Sequence, residues 1–162
     1  LTTGLIVTLT AHSKISPLES YWPNFLVIFL INSLPGALCE EWLFRFLPLW
    51  FVRQSKPGYL AIWPCIGSVV VFTLIHTPAY LIQHERAFSD LSQVFVMGLF
   101  FLLVYLLTQN LFFTALFHGL TNKPVFLVES PYGWLYFYVS ILLVSSGWAF
   151  QNWRHRRRPA VV

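Results

Sequence analysis

The chain has 162 residues, of which 57% are hydrophobic and only 10% are charged, with a formal net charge of +4. A soluble domain carries roughly 25% charged residues, so this composition excludes an ordinary water-soluble protein. The positive charge does not indicate nucleic acid binding, because four of the ten basic residues lie at 154–158, directly after an apolar run. Basic residues beside an apolar segment instead mark the cytoplasmic side of a membrane. We therefore expect an integral, multi-pass membrane protein that is surrounded by lipid and binds no nucleic acid.

Apolar segments divide the chain into five to six candidate membrane helices. In chain order they cover about 1–11, 21–52, 59–82, 91–108, 111–122 and 132–153. Pro35 and Gly36 are expected to kink or break the second segment, because proline lacks a backbone donor. The pattern predicts an all-α, polytopic helical bundle in which residues 1–162 form one membrane-embedded domain. Because the chain opens within an apolar run, we expect further sequence to precede Leu1.

The distribution of basic residues gives an orientation. If the segments cross alternately, Arg53 and Lys56 share a face with the C-terminal arginines, which makes six basic residues on that face. The opposite face carries three, namely Lys14, Arg86 and Lys123. The richer face is expected to be cytoplasmic. The size of the chain suggests a bacterial host and hence the plasma membrane.

Three charged residues lie within the second apolar segment, at Glu40, Glu41 and Arg45. Each such charge costs roughly 2.5–3.5 kcal/mol at the centre of a bilayer, so these side chains must pair or face a wet cavity. Glu41 and Arg45 are four residues apart, with the acid N-terminal to the base, and can pair on one helical face. Glu40 is rotated by about 100° from Glu41 and is the carboxylate that remains.

Two further segments carry polar residues in apolar surroundings. His76 ends the stretch Phe72-Thr73-Leu74-Ile75-His76, and His118 lies four residues before Asn122, on the same helical face. Together with Glu40, these side chains provide a carboxylate, two imidazoles and a carboxamide. Such a set can hold a water molecule between a base and hydrogen-bond donors, which is sufficient to hydrolyse an amide without a covalent nucleophile.

Three motifs on separate apolar segments follow one another in the chain: Glu40-Glu41-x-x-x-Arg45, Phe72-x-x-x-His76 and His118-x-x-x-Asn122. In this order they resemble the CAAX prenyl endopeptidase and bacteriocin-processing family, which includes the type II CAAX proteases and the Abi proteins. The resemblance covers about residues 34–122. It implies a metal-free, glutamate-dependent intramembrane endopeptidase that acts on a membrane-associated protein or peptide.

The resemblance also implies roles for the residues of the motifs. Glu40 would be the general base that activates water, assisted by His76. His118 and Asn122 would position the water or stabilise the oxyanion. Glu41 and Arg45, which pair with each other, would orient their helix and contact the substrate.

Other functions are compatible with the same residues. Glu40, His76 and His118 could form a zinc site, although the chain has no HExxH motif. A non-catalytic membrane scaffold or immunity protein could keep this polar core for binding a partner. A proton-relaying transporter would be expected to show inverted repeats, and the sequence has none. Neither the substrate nor the oligomeric state follows from these residues.

Overall fold

A computed structural model describes residues 22–55, 62–79, 87, 89, 91–122 and 133–157. Within these residues the chain forms five helices and no strand, which confirms the all-α class. We number them α1 (22–55), α2 (Ile62–Pro78), α3 (Leu91–Thr108), α4 (Leu111–Asn122) and α5 (Gly133–Arg157). The predicted segment at 1–11, the connection that follows it and Arg158 lie outside the described residues.

Helix α1 is continuous but changes its hydrogen bonding twice. Its α-helical segments are Trp22–Ile28, Leu34–Glu41 and Leu47–Ser55, and its π-helical turns are Phe29–Ser33 and Trp42–Phe46. Each π-helical turn ends just before a Leu-Pro pair, at Pro35 and at Pro48. Proline cannot donate to the carbonyl four residues earlier, so the chain locally adopts bonds that reach five residues back. The expected break at Pro35 therefore does not occur.

The second π-helical turn is tied to helix α2 by a side chain. In a regular α-helix, the carbonyl of Phe44 would accept the N–H of residue 48, but Pro48 has none. The hydroxyl of Ser68 in α2 donates to the Phe44 carbonyl instead. This bond satisfies a carbonyl that apolar surroundings would otherwise leave unpaired, and it fixes α2 beside the glutamates.

Helices α1, α2 and α3 share a buried apolar cluster that consists of Leu49, Cys65, Val69, Leu102 and Tyr105. Helix α4 returns from α3 through the two-residue connection Gln109–Asn110. Gln109 has a φ of 52°, and the side chain of Asn110 accepts the backbone N–H of Phe113 at 2.9 Å, which caps α4. The tight turn makes α4 antiparallel to α3. It thereby directs the C-terminal half of α4 towards the glutamates of α1.

Two stretches of the described chain are long and apolar enough to cross a membrane, namely Phe25–Gln54 and Leu91–Thr108. Helix α2 is apolar but shorter. The predicted bounds of the fourth and fifth segments, 91–108 and 111–122, are those of α3 and α4. Helix α5 extends to Arg157, beyond the predicted end at residue 153.

Gly98 allows α3 to approach α2 closely. A Cβ atom built at this position would lie 2.8 Å from Cγ1 of Val69, which is fully buried and cannot move aside freely. We expect Gly98→Ala to destabilise the protein by about 1–3 kcal/mol, as overpacked cores do. Gly67→Ala in α2 is the matched control, because nothing lies within 4 Å of its Cβ position. Unfolding in lipid or detergent measures both variants, and equal stability of the two would contradict the close approach.

Candidate active site

A fully buried ion pair lies on the buried side of the site. Nε of Arg45 lies 3.3 Å from Oε2 of Glu41, and both side chains are 0% exposed. Nη2 of Arg45 donates to the carbonyl of Gly98 at 3.3 Å. The guanidinium carbon also lies 4.4 Å from the centre of the Phe72 ring, in a cation–π arrangement. Arg45 thus connects α1 to both α2 and α3.

His118 lies between the two glutamates. Its Nδ1 is 2.7 Å from Oε1 of Glu41, and its Nε2 is 3.5 Å from Oε2 of Glu40. Because a carboxylate accepts hydrogen bonds, the proton of this contact is assigned to Nδ1. The ring of Phe101 stacks on the imidazole, with 4.4 Å between centroids and an interplanar angle of 20°. These contacts fix the orientation of His118 and direct Nε2 towards Glu40.

His76 approaches Glu40 from helix α2. Its Nδ1 donates to the carbonyl of Phe72 at 2.7 Å, since a carbonyl can only accept. The neutral ring therefore presents Nε2 as an acceptor, and this atom lies 4.0 Å from Oε2 of Glu40. That separation is too long for a direct hydrogen bond and suits a bridging water.

Glu40 is the least enclosed of the charged residues in the site. Its side chain is 33% exposed, whereas that of Glu41 is fully buried. Oε2 of Glu40 is itself buried and accepts no hydrogen bond from the described residues. It lies within 4.0 Å of Nε2 of both histidines. One carboxylate oxygen is thus held beside two imidazoles, where it can accept a proton from a reacting molecule.

A cavity of about 880 Å³ opens beside the histidines. Its apolar wall is formed by Phe72, Val94, Val96, Met97, Phe100 and Phe101. Polar side chains also line it, namely His76, Ser92, Gln93, His118, Thr121 and Asn122, and Tyr138 of α5 completes the described lining. An apolar cavity with a few convergent polar groups is the usual form of a binding site for an organic molecule.

The structure brings most of the predicted site residues into direct contact. Glu41 and Arg45 pair as expected, and Glu40 lies apart from that pair, near both histidines. Asn122 shares the cavity with His118. The sequence predicted that Glu41 pairs with Arg45, but it did not predict that Glu41 also contacts His118.

Several side chains that hold the site were not singled out as functional by the sequence. Phe72 was noted only as part of a motif, and Phe101 only as a member of an apolar run. Gly98 contributes a backbone carbonyl, which no side-chain pattern can reveal. The single available signal was that Gly98 is a glycine within an otherwise bulky apolar helix.

The zinc alternative placed Glu40, His76 and His118 in one ligand set. Within the part of the chain that the structure describes, no group of three or more His, Cys, Asp or Glu side chains is arranged to hold a metal ion. Nδ1 of His118 contacts Glu41, whereas Nε2 of His118 and Nε2 of His76 both face Oε2 of Glu40.

We expect the bond between His118 and Glu41 to contribute to stability. His118→Ala leaves a carboxylate oxygen of Glu41 without its donor in a fully buried position, which costs about 1–3 kcal/mol. His118→Asn should recover part of this loss, because its amide can donate from near the position of Nδ1. Thermal unfolding in lipid measures the effect, with the exposed His155→Ala as control. If His118→Ala were as stable as His155→Ala, the buried bond would be refuted.

The fold and the site together define a helical membrane protein with a buried acid and histidine cluster beside an apolar cavity. The model of the family described as Type II CAAX prenyl endopeptidase Rce1-like matches residues 22–123, which include all three motifs. The chain belongs to this family, as its motifs indicated. The family consists of membrane-integral proteases that act on membrane-associated proteins. No curated protein and no solved structure matches the chain significantly.

Proposed function

We propose that this protein is an intramembrane endopeptidase in which Glu40 activates water to hydrolyse a peptide bond of a membrane-associated protein or peptide. The observation that carries the proposal is the position of Oε2 of Glu40. This buried oxygen has no hydrogen-bond donor among the described residues, and it lies 3.5 and 4.0 Å from the Nε2 atoms of the two histidines. The family membership supports peptidase activity in general.

The reaction needs one group that first accepts and then returns a proton. Glu40 takes a proton from water, and the water oxygen attacks the carbonyl carbon of the scissile bond. The same proton then passes to the amide nitrogen as the C–N bond breaks, so a carboxylic acid and an amine are formed. His76 accepts a hydrogen bond at Nε2 from the second O–H of the water, which keeps that proton, because the Nδ1 proton of His76 is used by the carbonyl of Phe72. General acid and base catalysis of this kind contributes about 10²–10⁴-fold to a rate.

Glu41 and Arg45 act on the reaction through His118. The carboxylate of Glu41 holds the Nδ1 proton of His118, so Nε2 is the atom that faces Glu40 and the attacking water. The ring of His118 is thereby held beside the attacking water, and the amide of Asn122, on the same cavity, donates to the developing oxyanion. Donors placed at the position of this charge are commonly worth about 10²–10³-fold.

We further propose that the chain crosses a bacterial plasma membrane five or six times, with the C-terminal arginines in the cytoplasm. The charge distribution of the sequence supports this orientation. Helix α4 has 12 residues and a length of about 18 Å, which is short for a hydrocarbon core of about 30 Å. His118 and Asn122 would then lie within the membrane, where α4 ends, at the depth of the scissile bond.

The test is cleavage of membrane peptides by the purified protein in lipid, with a peptide library and a prenylated peptide as substrates. We expect cleavage that is insensitive to EDTA and that places one atom of ¹⁸O from labelled water in the new carboxylate. Inhibition by EDTA with recovery on addition of zinc would show a metalloprotease instead. No cleavage of any substrate, together with retained partner binding, would show a membrane scaffold.

A further inference from the structure

One residue of the cavity lining comes from outside the region that matches the family. Tyr138 belongs to helix α5, whereas the match ends at residue 123. The ring of Tyr138 meets that of Phe100 edge to face, with 4.9 Å between centroids. Phe100 is followed in α3 by Phe101, which stacks on His118. Helix α5 thus contributes to the cavity lining a residue that no motif assigns.

The hydroxyl group of Tyr138 is the second observation. This side chain lines the cavity and has ring contacts with Phe100 and Phe137, but among the described residues nothing accepts from or donates to its hydroxyl. The hydroxyl of a tyrosine whose ring lies in apolar surroundings normally finds a hydrogen-bond partner, and this side chain is only partly buried. A molecule that enters the cavity can therefore accept a hydrogen bond from this hydroxyl.

A peptide that is hydrolysed within a membrane has backbone carbonyls that require a hydrogen-bond donor of this kind. The segment around the scissile bond must be unwound, and each carbonyl that loses its helical partner is costly in apolar surroundings. The described cavity lining carries no Lys, Arg, Asp or Glu, and aromatic and aliphatic side chains dominate one wall. The lining thus fits an uncharged, apolar peptide segment whose free carbonyls need neutral donors.

We propose that Tyr138 is a substrate-positioning residue. Its ring bounds a subsite for an apolar side chain of the peptide, and its hydroxyl donates to a backbone carbonyl of the unwound segment. This inference rests on the proposed function, because the occupant is the segment that flanks the bond cleaved at Glu40. It extends that function by assigning helix α5 a part in substrate selection.

Kinetics with Tyr138→Phe provide the first test, since this change removes only the hydroxyl. We expect KM for an acetylated and amidated peptide of leucine, phenylalanine and serine to rise about 3- to 10-fold, as for one lost neutral hydrogen bond, with kcat nearly unchanged. Tyr136→Phe is the matched control, because it removes a hydroxyl from the same helix but outside the described lining. An unchanged KM, or an equal effect of both variants, would overturn the proposal.

A binding measurement keeps the inference separate from catalysis. Fluorotyrosine is placed at position 138 or 136 of the Glu40→Gln protein, and ¹⁹F spectra are recorded in lipid during titration with the same peptide. We expect a saturable shift at position 138 only, and none with a peptide whose apolar residues are replaced by lysine. A shift at position 138, with no cleavage by the wild type of this peptide, of the library or of the prenylated peptide, would leave the subsite standing and refute the protease. Cleavage without a shift at position 138 would refute the subsite and leave the protease standing.

Discussion

Glu40→Gln is expected to lower the rate of peptide hydrolysis by at least about 100-fold while the protein remains folded. Glutamine has the shape of glutamate but cannot accept a proton from water at neutral pH. We expect the free energy of unfolding to change little. The Glu40 side chain is partly exposed, and its Oε2 accepts no hydrogen bond from the described residues. Single-turnover cleavage and thermal unfolding of the same preparation measure the two effects.

Cys39→Ser is the matched control for Glu40→Gln. Cys39 is an exposed free thiol next to Glu40 in the same helix, and it is the alternative nucleophile that a covalent mechanism would use. We expect this variant to cleave at the wild-type rate and to be unaffected by thiol reagents. The glutamate mechanism would be refuted if Glu40→Gln stayed within about 10-fold of the wild type, or if Cys39→Ser were inactive.

Arg45→Met is expected to destabilise the protein by about 3–5 kcal/mol, the usual cost of leaving one partner of a buried ion pair uncompensated. Arg45 and Glu41 are both 0% exposed, so water cannot solvate the carboxylate that remains. The variant also loses the bond to the Gly98 carbonyl and the contact with the Phe72 ring. Chemical or thermal unfolding in lipid measures the change.

The double variant Glu41→Gln/Arg45→Met distinguishes the unpaired charge from lost packing. It removes both charges and keeps an acceptor for Nδ1 of His118, so we expect it to recover at least half of the stability lost in Arg45→Met. Arg154→Met is the control, because Arg154 also lies over a phenylalanine ring, Phe150, but on the exposed part of α5. Its cost should not exceed about 1 kcal/mol. Equal losses in the single and double variants would show that packing, and not charge, explains the effect.

The proline residues of α1 show how far local sequence determines local structure. Pro35 was predicted to interrupt the second apolar segment, and the hydrogen bonding does change just before it. The helix continues, however, since a π-helical turn shifts the bonds and helix α4 packs against this stretch. At the second turn, Ser68 of another helix supplies a donor for the Phe44 carbonyl. Whether a proline breaks a helix thus depends on partners that lie far away in the sequence.

Composition and helical periodicity determined much of this protein without a structure. The scarcity of charge indicated the membrane class, and the apolar runs gave the bounds of α3 and α4. The pairing of Glu41 with Arg45 followed from a spacing of four residues, because helical geometry alone places such side chains on one face. The ordered motifs indicated the family that the match over residues 22–123 shows.

The tertiary structure decided which helical faces come into contact with one another. The contact of His118 with Glu41 joins residues 77 positions apart, and the cavity wall at Tyr138 comes from a helix that the motifs do not include. Such contacts depend on how helices rotate and cross, which is set by close approaches such as that of Gly98 to Val69. Periodicity fixes the positions of side chains on their own helix, but only packing between helices decides what each of them touches.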